Sequence, residues 1–160
     1  MTDRLSSVKI ILEEYAINSS NVVKHSAHAY GVSAFAALLA ARRGLDAEIA
    51  AVMGLLHDIY AIKAGTYESH DTEGAKMAEE LLRGTALFSD EEIGIVSQGI
   101  LLHDRRNEVH DPYDEVLKDA DIIYPYFTNL PAKISPDVEQ RIYGMLRDLG
   151  ICLRSEDVQF

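Results

Sequence analysis

Cysteine is almost absent from the sequence: Cys152 is the single one among 160 residues. One cysteine cannot form a disulfide within the chain, so the sequence excludes a secreted domain built on disulfides and is compatible with a reducing compartment. We expect the Cys152 thiol to be inert.

Residues 1–7 contain Asp3 and Arg4 and lack the apolar run of a signal peptide, and no stretch approaches the ~20 apolar residues of a membrane span. We therefore expect a cytoplasmic protein without membrane contacts.

Basic residues are also scarce: 15 lysines and arginines face 26 aspartates and glutamates, which gives a net charge of −11. Proteins that bind nucleic acid polymers or anionic membranes nonspecifically present basic patches, so this deficit argues against both partners. A chain of 160 residues has the usual size of one domain and buries about 70% of its unfolded surface. We predict a single domain over residues 1–160. The sequence does not predict its oligomeric state.

Hairpin signals are missing too, and apolar residues recur with a helical period almost throughout. We predict an all-α, single-domain bundle of about six or seven helices. The first predicted helix carries an apolar stripe from Leu5 to Tyr15, the second begins at a Ser19 or Ser20 cap and ends at Arg43, and the third runs from an Asp46 cap through His57-Asp58 to near Gly65. The fourth begins around His70 and ends before Gly84, and the fifth follows the capping box Ser89–Glu92. The sixth starts at Pro112 and the seventh at Pro136.

An imidazole and a carboxylate, His57 and Asp58, directly follow the apolar run 49–56 and precede Ile59. Burying such groups costs free energy unless each is paired, hydrogen-bonded or bound to a metal. Other histidines and aspartates have similarly apolar flanks or follow a glycine-containing loop: His28, His70, His103 and Asp121. Imidazole and carboxylate donors together suit Zn, Fe, Mn, Co or Ni. Spacing alone does not show that these side chains converge.

Read in order, His28, His57-Asp58 and Asp121 resemble the H…HD…D signature of the HD-domain superfamily of metal-dependent phosphohydrolases. The resemblance extends to the flanking segments Gly54–Ile59, His70–Ala75, Ile100–His103 and Leu117–Ile122. It covers about residues 24–126, the motif-bearing core of the chain.

This resemblance implies a helical bundle that holds divalent transition-metal ions in its interior. The implied ligands are His28, His57, Asp58, His70, His103 and Asp121. In mononuclear branches the places of His70 and His103 are not ligands, whereas branches similar to diadenosine tetraphosphate hydrolases, and the di-iron oxygenases, use H…HD…H…H…D. We expect two ions bridged by Asp58, with a hydroxide between them as the nucleophile.

Neighbouring polar residues leave alternatives open. His25 lies one turn before His28, and we expect it to support a ligand or to face the surface. Asp119 competes with Asp121 as the last ligand. We prefer Asp121, because residues 120–122 resemble the final motif, and we expect Asp119 to orient a ligand histidine.

The tetrapeptide Leu-Leu-His-Asp occurs twice, at residues 55–58 and 101–104. The flanks diverge, and we attribute the recurrence to chance. We expect Asp104 to be exposed beside Arg105.

Phosphate recognition requires cations, and an arginine can hold a phosphate through two hydrogen bonds. The candidates are Lys63, Arg105, Arg106 and Lys118. An exposed pair that balances Asp104 and Glu108 is an equally good interpretation of Arg105-Arg106. Tyr60 and Tyr67 are candidates to stack on a base, although a core position explains such aromatics as well.

We predict a metal-dependent phosphohydrolase that cleaves a phosphoester or phosphoanhydride of a small nucleotide-like substrate. In this mechanism Asp58 and the ions hold the hydroxide while a lysine or arginine neutralises developing charge. The same ligands would support a di-iron oxygenase. A non-catalytic metal-binding or sensing module is the third alternative.

Overall fold

The chain folds into α-helices joined by short turns. The computed structural model describes residues 3–129 and 135–151; within these ranges it contains eight helices and no strand, so the all-α prediction is confirmed. Cys152 lies outside the described residues. No helix in the described ranges is both long and apolar enough to cross a membrane. The helices are α1 (Arg4–Ala16), α2 (Val22–Arg42), α3 (Ala47–Leu56), α4 (Ile59–Ala64), α5 (His70–Thr85), α6 (Asp90–Leu102), α7 (Pro112–Asn129) and α8 (Pro136–Asp148).

Several helices begin where their capping residues predict. The carboxylate of Asp46 accepts hydrogen bonds from two backbone N–H groups in the first turn of α3. Ser89 and Glu92 form a reciprocal capping box at the start of α6. Helix α8 begins at Pro136, as predicted. These caps satisfy N–H groups that have no partner within the helix.

Two predicted helix ends are wrong. Helix α2 begins at Val22 without a serine cap, and Ser19 instead places its Oγ 3.1 Å from Nδ1 of His25. Helix α5 continues through Gly84 and ends at Thr85, with the next residue in the left-handed region.

The predicted third helix is divided into α3 and α4 at the His57-Asp58 pair. The Nδ1 atom of His57 donates to the carbonyl oxygen of Gly54 at 2.9 Å, and this is the carbonyl that the N–H of Asp58 would reach in a continuous helix. Asp58 has φ −103° and ψ 14°, outside the α-helical region. The break lets two adjacent side chains face one centre, although adjacent helical residues differ by about 100° in direction.

Helix α3 occupies the middle of the hydrophobic core, and residues 49–56 are all buried. It lies close against α2: Ser33 Oγ on α2 donates to the carbonyl oxygen of Ala51 on α3 at 2.9 Å. A Cβ added to Gly54 would lie 2.5 Å from Cα of Ser33. The close approach of the two helices therefore depends on glycine at position 54.

A partly buried network of charges, with the buried Asp119 at its centre, connects the end of α2 with α7 and α8. Its ion pairs are Arg43 with Asp119 (2.7 Å) and Asp148 (2.9 Å), and Arg141 with Asp119 (3.0 Å) and Glu115 (2.6 Å). Asp119 is thus held between two arginines. The prediction that Asp119 orients a ligand histidine is wrong, because its carboxylate pairs with Arg43 and Arg141 instead.

Lys118 is completely buried beside this network. Its Nζ donates to the carbonyl oxygen of Glu108 at 2.9 Å and to Oε1 of Glu115 at 2.7 Å, and lies 2.6 Å from Nδ1 of His110. These contacts fix the turn before α7 to the helix itself. Because a buried and fully engaged ammonium is a poor partner for an incoming anion, this placement does not support the predicted phosphate contact.

The α2–α3 contact can be tested by adding one methyl group. We expect Gly54→Ala to lower the free energy of unfolding by about 1–3 kcal/mol or more, the usual cost of overpacking a core. Gly84 on α5 has no heavy atom within 4 Å of an added Cβ. Gly84→Ala should therefore raise the free energy of unfolding by up to about 1 kcal/mol, since alanine is the better helix former. Denaturant unfolding measures both, and equal stability of the two variants would contradict the proposed contact.

Candidate metal centre

Five segments of the fold bring the six predicted ligands to one place. His28 comes from α2, the pair His57-Asp58 from the break between α3 and α4, and His70 from the first turn of α5. His103 directly follows α6, and Asp121 lies on α7. The first of these side chains is partly buried and the other five are buried. The cluster forms the polar end of a cleft of about 600 Å³.

Four side chains form the first group of the cluster. The Nε2 atoms of His28 and His57 are 3.1 Å apart. Asp121 Oδ1 lies 3.2 Å from the first of these nitrogens and 3.7 Å from the second. Asp58 Oδ2 lies 3.7 Å and 3.5 Å from the same two atoms. Two nitrogens and two carboxylate oxygens therefore face one point.

The second group uses the other oxygen of Asp58. The Nε2 atoms of His70 and His103 are 3.2 Å apart, and Asp58 Oδ1 lies 3.7 Å from Nε2 of His70. Asp58 thus turns one oxygen toward each group. The ligand atoms of His28, His57 and Asp58 all lie within 4.8 Å of one another, and so do those of Asp58, His70 and His103.

Backbone carbonyls orient three of the imidazoles. The Nδ1 atoms of His57, His70 and His103 donate to the carbonyl oxygens of Gly54 (2.9 Å), Tyr67 (2.8 Å) and Ile100 (2.6 Å). A neutral imidazole has a single N–H, so each of these rings carries a lone pair on Nε2. When both rings of the second group are neutral, two such lone pairs face each other at 3.2 Å.

These donors fit a metal ion. Lone pairs this close repel each other unless a cation lies beside both. Ligand atoms around an ion at about 2.0–2.1 Å are separated by roughly 2.9–3.4 Å in octahedral or tetrahedral geometry. The observed separations of 3.1–3.7 Å are close to this range. Nitrogen and carboxylate donors together favour a transition ion.

The electrostatics act differently on the members of the cluster: although burial lowers it, the hydrogen bond and charge of Asp121 raise the pKa of His28, whereas Asp121 and His103 are held in their metal-binding forms. Burial alone would raise the pKa of Asp121, but the hydrogen bond with His28 and the charge of Arg106 hold that pKa well below its usual range. Burial and the proximity of His57 lower the pKa of His103. Asp121 is therefore ionised and His103 neutral near pH 7, as metal ligation requires.

The rest of the cleft combines one cation with an apolar wall. Arg106 is the single lysine or arginine among the described residues that line it, and its Nη2 donates to Asp121 Oδ2 at 2.6 Å. The apolar wall consists of Ile122, Pro125, Tyr126, Val138 and Ile142. Tyr67 lies at the edge, 57% exposed, and burial together with Asp58 and Asp121 raises the pKa of its phenol. Tyr67 therefore remains a hydrogen-bond donor.

The other predicted substrate contacts lie elsewhere. Lys63 is exposed on α4, and Arg105 is exposed in the turn after α6; neither lines the cleft. Lys118 is buried in the α7 contacts described above. Of the four predicted cations the fold brings Arg106 alone to the cleft. Tyr60 packs against the core, so Tyr67 is the tyrosine of the pair that can reach a ligand.

Sequence reasoning missed Asp104. Its side chain is 50% exposed, as expected, yet Oδ2 lies 3.3 Å from Nε2 of His70 and Oδ1 lies 3.8 Å from Nε2 of His103. It also lines the cleft. The signal that could have found it is the second Leu-Leu-His-Asp tetrapeptide.

The chain also matches a known family over this region. The model of the family described as HD domain matches residues 26–125, more than half of the chain and a range that contains all six predicted ligands. No curated protein and no solved structure matches the chain.

Substitution should separate the two neighbouring aspartates of α7. We expect His57→Ala, Asp58→Ala and Asp121→Asn to remove bound transition metal, because each takes a donor from the first group. Asp119→Asn should keep the metal and lower stability instead, because it breaks a buried pair with two arginines. Metal content by mass spectrometry and unfolding curves distinguish these effects. Retention of metal in Asp121→Asn and its loss in Asp119→Asn would show that the wrong carboxylate was chosen.

Proposed function

The chain belongs to the HD domain family, a superfamily of metal-dependent hydrolases, and on this basis we propose that it is a phosphohydrolase with a two-ion centre. Its substrate is a phosphoester or phosphoanhydride of a small nucleotide-like molecule. The observation that supports this most is the carboxylate of Asp58, which offers one oxygen to His28 and His57 and the other to His70. Such a shared carboxylate suits two ions rather than one.

Each group of ligands has a defined part in this proposal. His28, His57 and Asp121 hold one ion, His70 and His103 hold the other, and Asp58 holds both. Divalent ions in such a site polarise phosphoryl oxygens and lower the pKa of water toward neutrality. The carbonyl hydrogen bonds to three of the imidazoles keep their Nε2 atoms aimed inward, so these ligands need no rearrangement when an ion binds.

Arg106 is the residue we assign to the phosphoryl group. A guanidinium has five N–H donors, and its contact with Asp121 Oδ2 uses Nη2. Its side chain is 42% exposed, so the remaining donors can face an anion in the cleft. In that position Arg106 neutralises charge that develops on the phosphoryl oxygens.

The apolar wall suits the organic part of the substrate. With one cation among the described cleft residues, the cleft accommodates one phosphoryl group beside the cluster rather than a long polyphosphate. Ile122, Val138 and Ile142 present an apolar surface of the kind that covers most of a small-molecule pocket. Tyr67, which also lines the cleft, is placed to stack on a ring or to donate from its hydroxyl.

Metal loading tests the two-ion centre. The protein saturated with Mn²⁺ should bind about two ions per chain, and His70→Ala and His103→Ala should each lower this number toward one, because His28, His57 and Asp121 remain. Both variants should lose release of inorganic phosphate in a screen of phosphate esters and nucleotides. One ion in the wild type would overturn the two-ion centre. Two ions without phosphate release from any compound, but with oxygen uptake by the iron-loaded protein, would replace hydrolysis with oxygenase chemistry.

Adjacent arginines provide a matched test of substrate binding. We expect Arg106→Gln to lower kcat/KM by about 10–100-fold, since a hydrogen bond to a charged group is worth about 1.5–3 kcal/mol. Arg105→Gln removes the same charge from the neighbouring exposed position and should have little effect. Metal content is measured in both, so that a loss caused by disturbing Asp121 is recognised. Equal losses in the two variants would show that the cleft senses overall charge rather than a contact with Arg106.

A further inference from the structure

Apart from the shared Asp58, the six predicted ligands give the second group no carboxylate. We propose that Asp104 is a direct ligand of the second ion, together with His70, His103 and the shared Asp58. This inference rests on the two-ion centre of the proposed function and adds a donor outside the six that the sequence pattern predicts.

The geometry of the two groups is parallel. In the first group Asp121 Oδ1 lies 3.2 Å and 3.7 Å from the two imidazole nitrogens. In the second, the carboxylate oxygens of Asp104 lie 3.3 Å from Nε2 of His70 and 3.8 Å from Nε2 of His103. With Asp104 included, each ion has two imidazoles, the shared carboxylate and one carboxylate of its own.

The local backbone of Asp104 repeats that of Asp58. Helix α3 ends at Leu56 and helix α6 ends at Leu102, so each His-Asp dipeptide directly follows a helix. In both dipeptides the histidine Nδ1 donates to the carbonyl oxygen three residues earlier, at 2.9 Å for His57 and 2.6 Å for His103. The following aspartate then turns toward the cluster. The two Leu-Leu-His-Asp segments therefore share a local structure.

Charge also favours this assignment. Within the described ranges, the carboxylate of Asp104 forms ion contacts with the two histidines and with no lysine or arginine. Helices α3 and α6 both direct their C-terminal ends, which carry partial negative charge, toward the cluster. A carboxylate placed there without a cation would be repelled by both helix ends and by Asp58. A second divalent ion removes this repulsion.

The test measures binding of Co²⁺ to the full chain by equilibrium dialysis, with the two dissociation constants fitted separately. Asp104→Asn keeps the size of the side chain and removes its charge. We expect it to weaken the second ion at least 100-fold, beyond the roughly 10–100-fold that loss of a supporting residue costs. The first ion should bind as in the wild type. Because the Asp104 side chain is half exposed, the variant is expected to fold, which circular dichroism checks.

Two further variants separate ligation from a general charge effect. Glu108→Gln removes a carboxylate four residues later, one that is 60% exposed and lies against His110, and it should bind both ions normally. Asp104→His replaces the carboxylate with a neutral nitrogen donor and should bind the second ion at least about tenfold more tightly than Asp104→Asn, since imidazole is itself a good ligand.

The outcomes distinguish this inference from the proposed function. Two tightly bound ions in both the wild type and Asp104→Asn would overturn ligation by Asp104 and leave the two-ion centre intact. A single ion in the wild type would overturn both. Equal weakening by Asp104→Asn and Glu108→Gln, or no recovery in Asp104→His, would also overturn ligation by Asp104, because charge alone would then explain the loss.

Discussion

The rest of the site depends on one constraint, the close approach of two imidazole Nε2 atoms at the bottom of the cleft. Nδ1 of His70 and of His103 each donates to a backbone carbonyl, so in the neutral rings the Nε2 atoms, 3.2 Å apart, carry lone pairs. Both side chains are more than nine-tenths buried, so few water molecules can reach the two nitrogens from the cleft. A cation beside both nitrogens would remove this repulsion. The same reasoning extends through Asp58 to the first group.

Most of the metal-binding side chains of the cluster come from residues at helix ends rather than from the faces of helices. His57-Asp58 and His103-Asp104 follow the last turns of α3 and α6, and His70 is the first residue of α5. A continuous helix would separate adjacent side chains by about 100°. A helix that stops allows both to face one centre, and its C-terminal carbonyls add partial negative charge that favours a bound cation. The buried apolar residues of α3 then fix this end of the helix in the core.

Local signals account for what the sequence predicts correctly, and distant partners account for what it misses. The caps at Asp46 and Ser89 act within one turn, so their helices were predictable. The flanks of His57-Asp58 carry a family pattern, and the structure brings its expected partners together. The division of the third helix was not predictable, because the apolar period continues through it. Asp119 owes its role to Arg43, which lies 76 residues away, and no local pattern encodes that contact.

Under the proposed two-ion centre, overall charge and local charge have opposite signs. The chain carries a net charge of −11, which would repel a phosphorylated substrate from most of its surface. With two divalent ions bound as proposed, their positive charge is larger than the negative charge of the three carboxylates of Asp58, Asp104 and Asp121. Arg106 adds further positive charge. The loaded centre is then a cationic point in an acidic protein. A phosphate is attracted to that point and to little else, so the acidic surface sharpens selection of the site without describing the substrate.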